Sequence, residues 1–177
     1  MRHNIFLTAL LSFILSVPAP LAAQEQAAAR SEKSEVEKIM QQASRIRSNE
    51  INYSYISLNM LKQMLPIANI ADSEAKQIFG KMKSIRRFCT TGEQGYRLLY
   101  QAMQPFLQEE DNVKGLELMA LTREDGMLSV VYSNNNNLLV INDCGNNTLT
   151  VVFIVGLPYS AFKILNEGEF SLDFDLF

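Results

Sequence analysis

Tryptophan is absent from the 177 residues, histidine occurs once and cysteine twice. The one histidine is His3, so beyond the extreme N-terminus no Ser-His-Asp or Cys-His constellation has a base, and no zinc site can draw on imidazole. Charge of one sign is also scarce, with 16 Lys+Arg against 19 Asp+Glu and a net charge of -3. Few phosphate counterions could be released, so nucleic acid is not an expected partner. No apolar run reaches the roughly 20 residues that cross a bilayer as a helix. What is present is a 47% apolar chain of a length that suits one domain with a substantial core.

Residues 1–23 read as a secretory signal peptide. Arg2 and His3 give a positive start, Ile5 to Val17 an apolar stretch, and Leu21-Ala22-Ala23 a small-residue cleavage site. Removal of this segment takes His3 with it. The expected location is outside the cytoplasm, in the periplasm or cell envelope, with no transmembrane span left after cleavage. Residues 24–35 read as a solvated leader, 36–166 as a single domain and 167–177 as an acidic tail.

Within the domain, Val36, Ile39, Met40, Ala43 and Ile46 recur at helical spacing. Ile51 to Ile56 alternates as a strand does, and Ser57 is placed to cap a helix carrying Met60, Leu61, Met64 and Leu65. Ala71 to Met82 is a further helix candidate, and Ser84 to Cys89 a short strand. Thr91-Gly92-Glu93-Gln94 matches a capping box, opening a helix with Tyr96, Leu99, Met103, Phe106 and Leu107 on one stripe, with Pro105 as its weak point.

From residue 115 the hydrophobic period falls to two. Gly115–Leu121, Met127–Ser133, Leu138–Asn142 and Thr148–Val155 are strand candidates, joined by short Asn, Asp and Gly-rich connectors. A last helix is expected over Pro158–Leu165. The sum is an α+β domain, a mostly antiparallel sheet containing a C-terminal hairpin meander, with helices packed on one face. Leu138 to Ile141 and Val151 to Val155 are apolar on both faces, which requires a cover on the second face: the N-terminal helix or another chain.

The segments Tyr55-Ile56-Ser57-Leu58-Asn59-Met60-Leu61-Lys62-Gln63-Met64 and Lys83-Ser84-Ile85-Arg86-Arg87-Phe88-Cys89, followed by a long helix and hairpins, resemble the domain-of-unknown-function 4252 family. These are small exported proteins of Bacteroidota. The resemblance covers Tyr55 to Leu165, about two-thirds of the chain, and leaves out the acidic tail. It implies an envelope location and a globular α+β domain, and carries no catalytic residues.

Chemistry-bearing residues are few. Cys89 and Cys144 are a candidate disulfide, closing a loop of about 55 residues worth about 4 kcal/mol if unstrained; two separate buried thiols are the alternative. Lys76, Lys81, Lys83, Arg86 and Arg87 form the basic cluster, read as a solvated face. A phosphate-binding loop at Gly80-Lys81 fails, because Ala75 stands where glycine is needed and Met82 where Ser or Thr must hold magnesium. Glu109-Glu110-Asp111 and Glu124-Asp125 are adjacent in sequence and therefore diverge in space, which suits neither acid/base pairs nor metal cages. No catalytic residue, metal ligand or cofactor is nominated.

In the tail, Phe170, Leu172, Phe174 and Leu176 alternate with Ser171, Asp173, Asp175 and Phe177. One reading is an edge strand on the chain's own sheet. The other makes the four apolar residues a partner-binding strand, donated to another envelope protein or a second copy. The expected function is non-enzymatic and exercised through protein–protein contacts. The alternative is a carrier of an apolar small ligand held between sheet and helices.

Overall fold

The computed structural model describes residues 34–60, 63, 77–78 and 80–161. The signal segment 1–23, residues 24–33 of the leader, most of the 71–82 helix candidate and the tail residues Phe170, Leu172, Phe174 and Leu176 lie outside the described residues.

Chain order is α1 (Glu35–Ala43), β1 (Ile51–Ser57), β2 (Ser84–Thr90), α2 (Glu93–Leu107), β3 (Asn112–Val113), β4 (Leu116–Glu124), β5 (Met127–Ser133), β6 (Asn137–Asp143) and β7 (Leu149–Val155). The strands form one seven-stranded sheet in the order β1-β2-β7-β6-β5-β4-β3, and every neighbouring pair is antiparallel. The fold is thus α+β with a meander, β3 through β7. The meander is carried to the far side of the sheet by α2 and returns until β7 docks beside β2.

The local chemistry explains most element ends. In α1, Ser34 Oγ accepts from the Glu37 amide at 3.2 Å, and Glu35 and Glu37 sit in the first turn, where the helix dipole favours acids. Val36, Met40 and Ala43 face inward. Ser57 Oγ likewise accepts from the Met60 amide at the start of a helical segment, as its sequence position predicts. Gln77, Ile78, Gly80 and Lys81 are helical, the described part of the 71–82 candidate.

Two sequence expectations are corrected. Thr91 is not the cap of α2: the N-cap is Gly92, with no side-chain bond of its own. The cap comes instead from Glu50, whose Oε2 accepts from the Gly95 amide at 2.8 Å while its carbonyl accepts from the Thr91 amide at 2.9 Å. Pro105 sits inside α2, which ends two residues later at Leu107, just before the acidic run. Finally, β4 extends through Glu124, so the connector to β5 shrinks to Asp125-Gly126. Both residues have positive φ (49° and 81°), as a two-residue hairpin turn requires.

The core lies between the helices and one face of the sheet. Val36, Met40 and Ala43 of α1 and Leu99, Met103 and Phe106 of α2 join Phe88, Tyr132, Leu139, Ile141, Val151 and Phe153 in one buried cluster. Tyr53 stacks on Phe88 at 4.9 Å between centroids, and Phe106 meets Tyr132 edge-on at 5.8 Å. Each such side chain contributes about 1.5–3 kcal/mol on burial. The exposed ion pair Arg97–Glu93 on α2 contributes less than about 1 kcal/mol, so burial holds the helix layer in place.

The N-terminal helix therefore covers the first face, the one it shares with α2. Buried outside the cluster are Ile56, Ile85, Leu138 and Val140, on the opposite face by register. Buried with them are Ile78 and Met82 before β2, and Leu157 and Ala161 after β7. The two flanking segments meet where the Lys83 amide donates to the Val155 carbonyl at 2.7 Å.

Candidate functional site

The sheet edge at β4 gathers exposed apolar side chains. Asn112 and Val113 of β3 pair only with Glu117 and Leu116, and the Leu118 amide donates to the Asp111 carbonyl at 2.9 Å. Beyond that point, from Met119 to Glu124, β4 pairs among the described residues with β5 alone. A register shift between Leu118 and Ala120 leaves Met119 as the extra residue of a bulge. Met119, Leu121 and Met127 are 38%, 42% and 43% exposed. Leu121, opposite Val130, lies on the helix-bearing face, and Met127 lies on the other.

Acidic and basic groups frame this hairpin. Arg123 pairs with Glu109, which follows α2 with a positive φ of 59°. At the base the Tyr132 hydroxyl donates to the Glu110 carbonyl at 3.1 Å. Burial pushes the Tyr132 phenol up, and the carboxylates of Glu109, Glu110 and Asp111 push it further. The acidic run thus has one side chain tied to the hairpin, and a backbone oxygen committed to the core tyrosine.

Cys89 and Cys144 are half-buried, unbridged thiols. Cys89 lies opposite Thr150 of β7, which in turn lies opposite Asn142 of β6, and the Cys144 amide donates to the Thr148 carbonyl at 3.0 Å. The two cysteines therefore flank β7. Two strand spacings are about 9.5 Å, beyond the roughly 7 Å within which Cα atoms can be bridged. Cys89 Sγ is instead 3.7 Å from Thr150 Oγ1 and from the Thr90 carbonyl oxygen. Burial raises the Cys144 thiol pKa, with Asp143 and Cys89 adding to it.

The basic cluster is divided rather than gathered. Lys81 and Lys83 are exposed, while Arg86 is 6% exposed with its guanidinium 5.3 Å from the Tyr55 ring centroid. Arg87 points to the opposite face, because adjacent strand residues alternate; Lys76 lies outside the described residues. Among the described residues no three His, Cys, Asp or Glu side chains converge as metal ligands, and no helix is long and apolar enough to cross a membrane.

Sequence reasoning missed the β4 edge as a site. Met119, Leu121 and Met127 read as ordinary strand residues, and their exposure depends on how far β3 reaches, which no local pattern encodes. The four apolar tail residues lie outside the described residues. No family model matches the chain, and no curated protein or solved structure is detectably similar to it.

Proposed function

We propose that this is a non-enzymatic protein of the cell envelope that acts through protein–protein contacts, made at the free edge of β4. The observation that carries the reading is that, among the described residues, β4 from Met119 to Glu124 pairs with β5 alone while Met119, Leu121 and Met127 stand exposed around it. Main-chain groups on such an edge give affinity to an added strand, and flanking apolar side chains give it selectivity. The signal-like segment 1–23 and the resemblance of residues 55–165 to the domain-of-unknown-function 4252 family support export and an envelope location. A carrier of an apolar ligand would need room between helices and sheet, where Phe88, Leu99, Met103, Phe106 and Phe153 are fully buried in one packed cluster.

The test is crosslinking capture from the host envelope with the mature chain and with L121K/M127K, both first shown to be folded. A defined partner caught by the first and lost with the second supports the reading. Equal capture by both moves the contact away from this edge and overturns it.

A further inference from the structure

The methionines divide by their access to solvent. Met40 of α1 and Met103 of α2 are 0% exposed inside the core cluster, and Met82, before β2, is 2% exposed. Met119 and Met127, on the two strands of the β4–β5 hairpin, are 38% and 43% exposed. Met60 is half-buried, and Met1 and Met64 lie outside the described residues.

The backbone explains this division. Met119 is the extra residue of the bulge, taken out of the regular pairing with β5. Met127 opens β5 directly after the Asp125-Gly126 turn, opposite Glu124, and every residue from 121 to 127 is exposed. Neither methionine belongs to the buried cluster.

We infer that Met119 and Met127 form a peroxide-sensitive site, where oxidation turns the apolar surface of the hairpin polar and leaves the fold intact. A thioether needs no activating base. Its sulfur attacks one oxygen of the peroxide, the O–O bond breaks, and the second oxygen leaves as water with the proton of the first. Sulfur is oxidised to the sulfoxide and the peroxide is reduced. The rate then follows access to the sulfur. At Met119 and Met127 the new oxygen is solvated, whereas at Met40 and Met103 it would bring a polar group into an apolar core. The inference goes beyond the β4 contact and does not depend on it, because it rests on exposure and sulfur chemistry alone.

Timed treatment of the folded protein with hydrogen peroxide, followed by peptide mapping, tests the selectivity. The same protein in guanidinium chloride gives the rate of each methionine without structure. Met119 and Met127 are expected to gain oxygen within about threefold of their unfolded rates, while Met40, Met82 and Met103 slow at least about tenfold, reacting only when the fold opens. Slowing of Met119 and Met127 to match the buried methionines overturns the inference. The surface change is read by retention on a hydrophobic-interaction column. Protein oxidised at both positions is expected to elute earlier with its circular-dichroism spectrum unchanged. M119L/M127L keeps the apolar volume without sulfur and is expected not to shift under the same treatment. An equal shift in M119L/M127L assigns the change to other methionines and overturns the inference. Unchanged retention of the oxidised protein, or loss of its native spectrum, does the same.

Discussion

The Glu50 carboxylate accepts the Gly95 amide hydrogen at 2.8 Å, so the residue before β1 closes the first turn of α2 from 45 positions away. The fit is tight on both sides of that bond. A Cβ on Gly95 would stand 2.5 Å from the Glu50 carbonyl oxygen, and one on Gly92 would stand 2.6 Å from the Glu50 carboxyl carbon. The glycines are there to let Glu50 approach.

This inverts a familiar substitution. Glycine to alanine inside a helix ordinarily stabilises by about 1 kcal/mol. G95A is expected to destabilise instead, by about 1–3 kcal/mol, because the new methyl meets backbone that must move. E50A should cost about 1 kcal/mol, the usual loss of a cap. Urea unfolding midpoints of the two variants check both signs.

A second prediction concerns alkaline pH. The Tyr96 hydroxyl donates to Asp143 at 2.8 Å. Burial first, and then the Asp143 carboxylate, lift its pKa from 10.0 to about 12. The folded state therefore holds the phenol proton more tightly than the unfolded chain does. The associated stability is complete below pH 10 and is lost as pH rises from there through about 12. Y96F is expected to flatten the fall in stability over that window, measured by denaturant melts at stepped pH. An unchanged slope would remove Tyr96 as its cause.

The thiols should report as two free groups. Denatured without reductant, the purified protein is expected to bind thiol reagent at both Cys89 and Cys144. In the folded state Cys144 should react slowly near neutral pH, because its raised pKa leaves little thiolate. Peptide mapping that finds the two joined would overturn their assignment as free thiols.

Gly156 is expected to be the least tolerant glycine. Its φ is +90°, and a Cβ there would lie 2.2 Å from the Lys81 carbonyl oxygen. G156A adds backbone strain to a collision with the segment entering β2, and should cost about 3 kcal/mol or more. Thermal unfolding of G156A against G80A, where a Cβ meets nothing within 4 Å, separates this site from a general effect of removing glycine.

Much of the fold was legible because the relevant forces are local. The 3.6-residue spacing of Val36, Met40 and Ala43 marked α1, and alternation marked β1, β4 and β5. Strand β3 escaped notice since two residues cannot show a period, and Gly115, read as a strand start, belongs to its turn. The capping box at Thr91 was a sound local pattern displaced by a distant carboxylate. The double-sided apolar character of β6 and β7 did signal a cover on both faces. It did not say that α1 takes the face shared with α2. Of the candidate site, the residues were visible but not their exposure, which follows from where a neighbouring strand stops.

Strand order has a consequence in time. The inner neighbour of β2 is β7, and residues 91–148 lie between them. Until Val155 has been made, β2 has no partner on that side, and Phe88 has no Val151 to oppose. Closing so long a loop is entropically slow and comes before the central strand pair can reward it. A ribosome thus holds an open, threadable chain while residues 91–148 are made, and the domain becomes a single cooperative body only once β7 has followed.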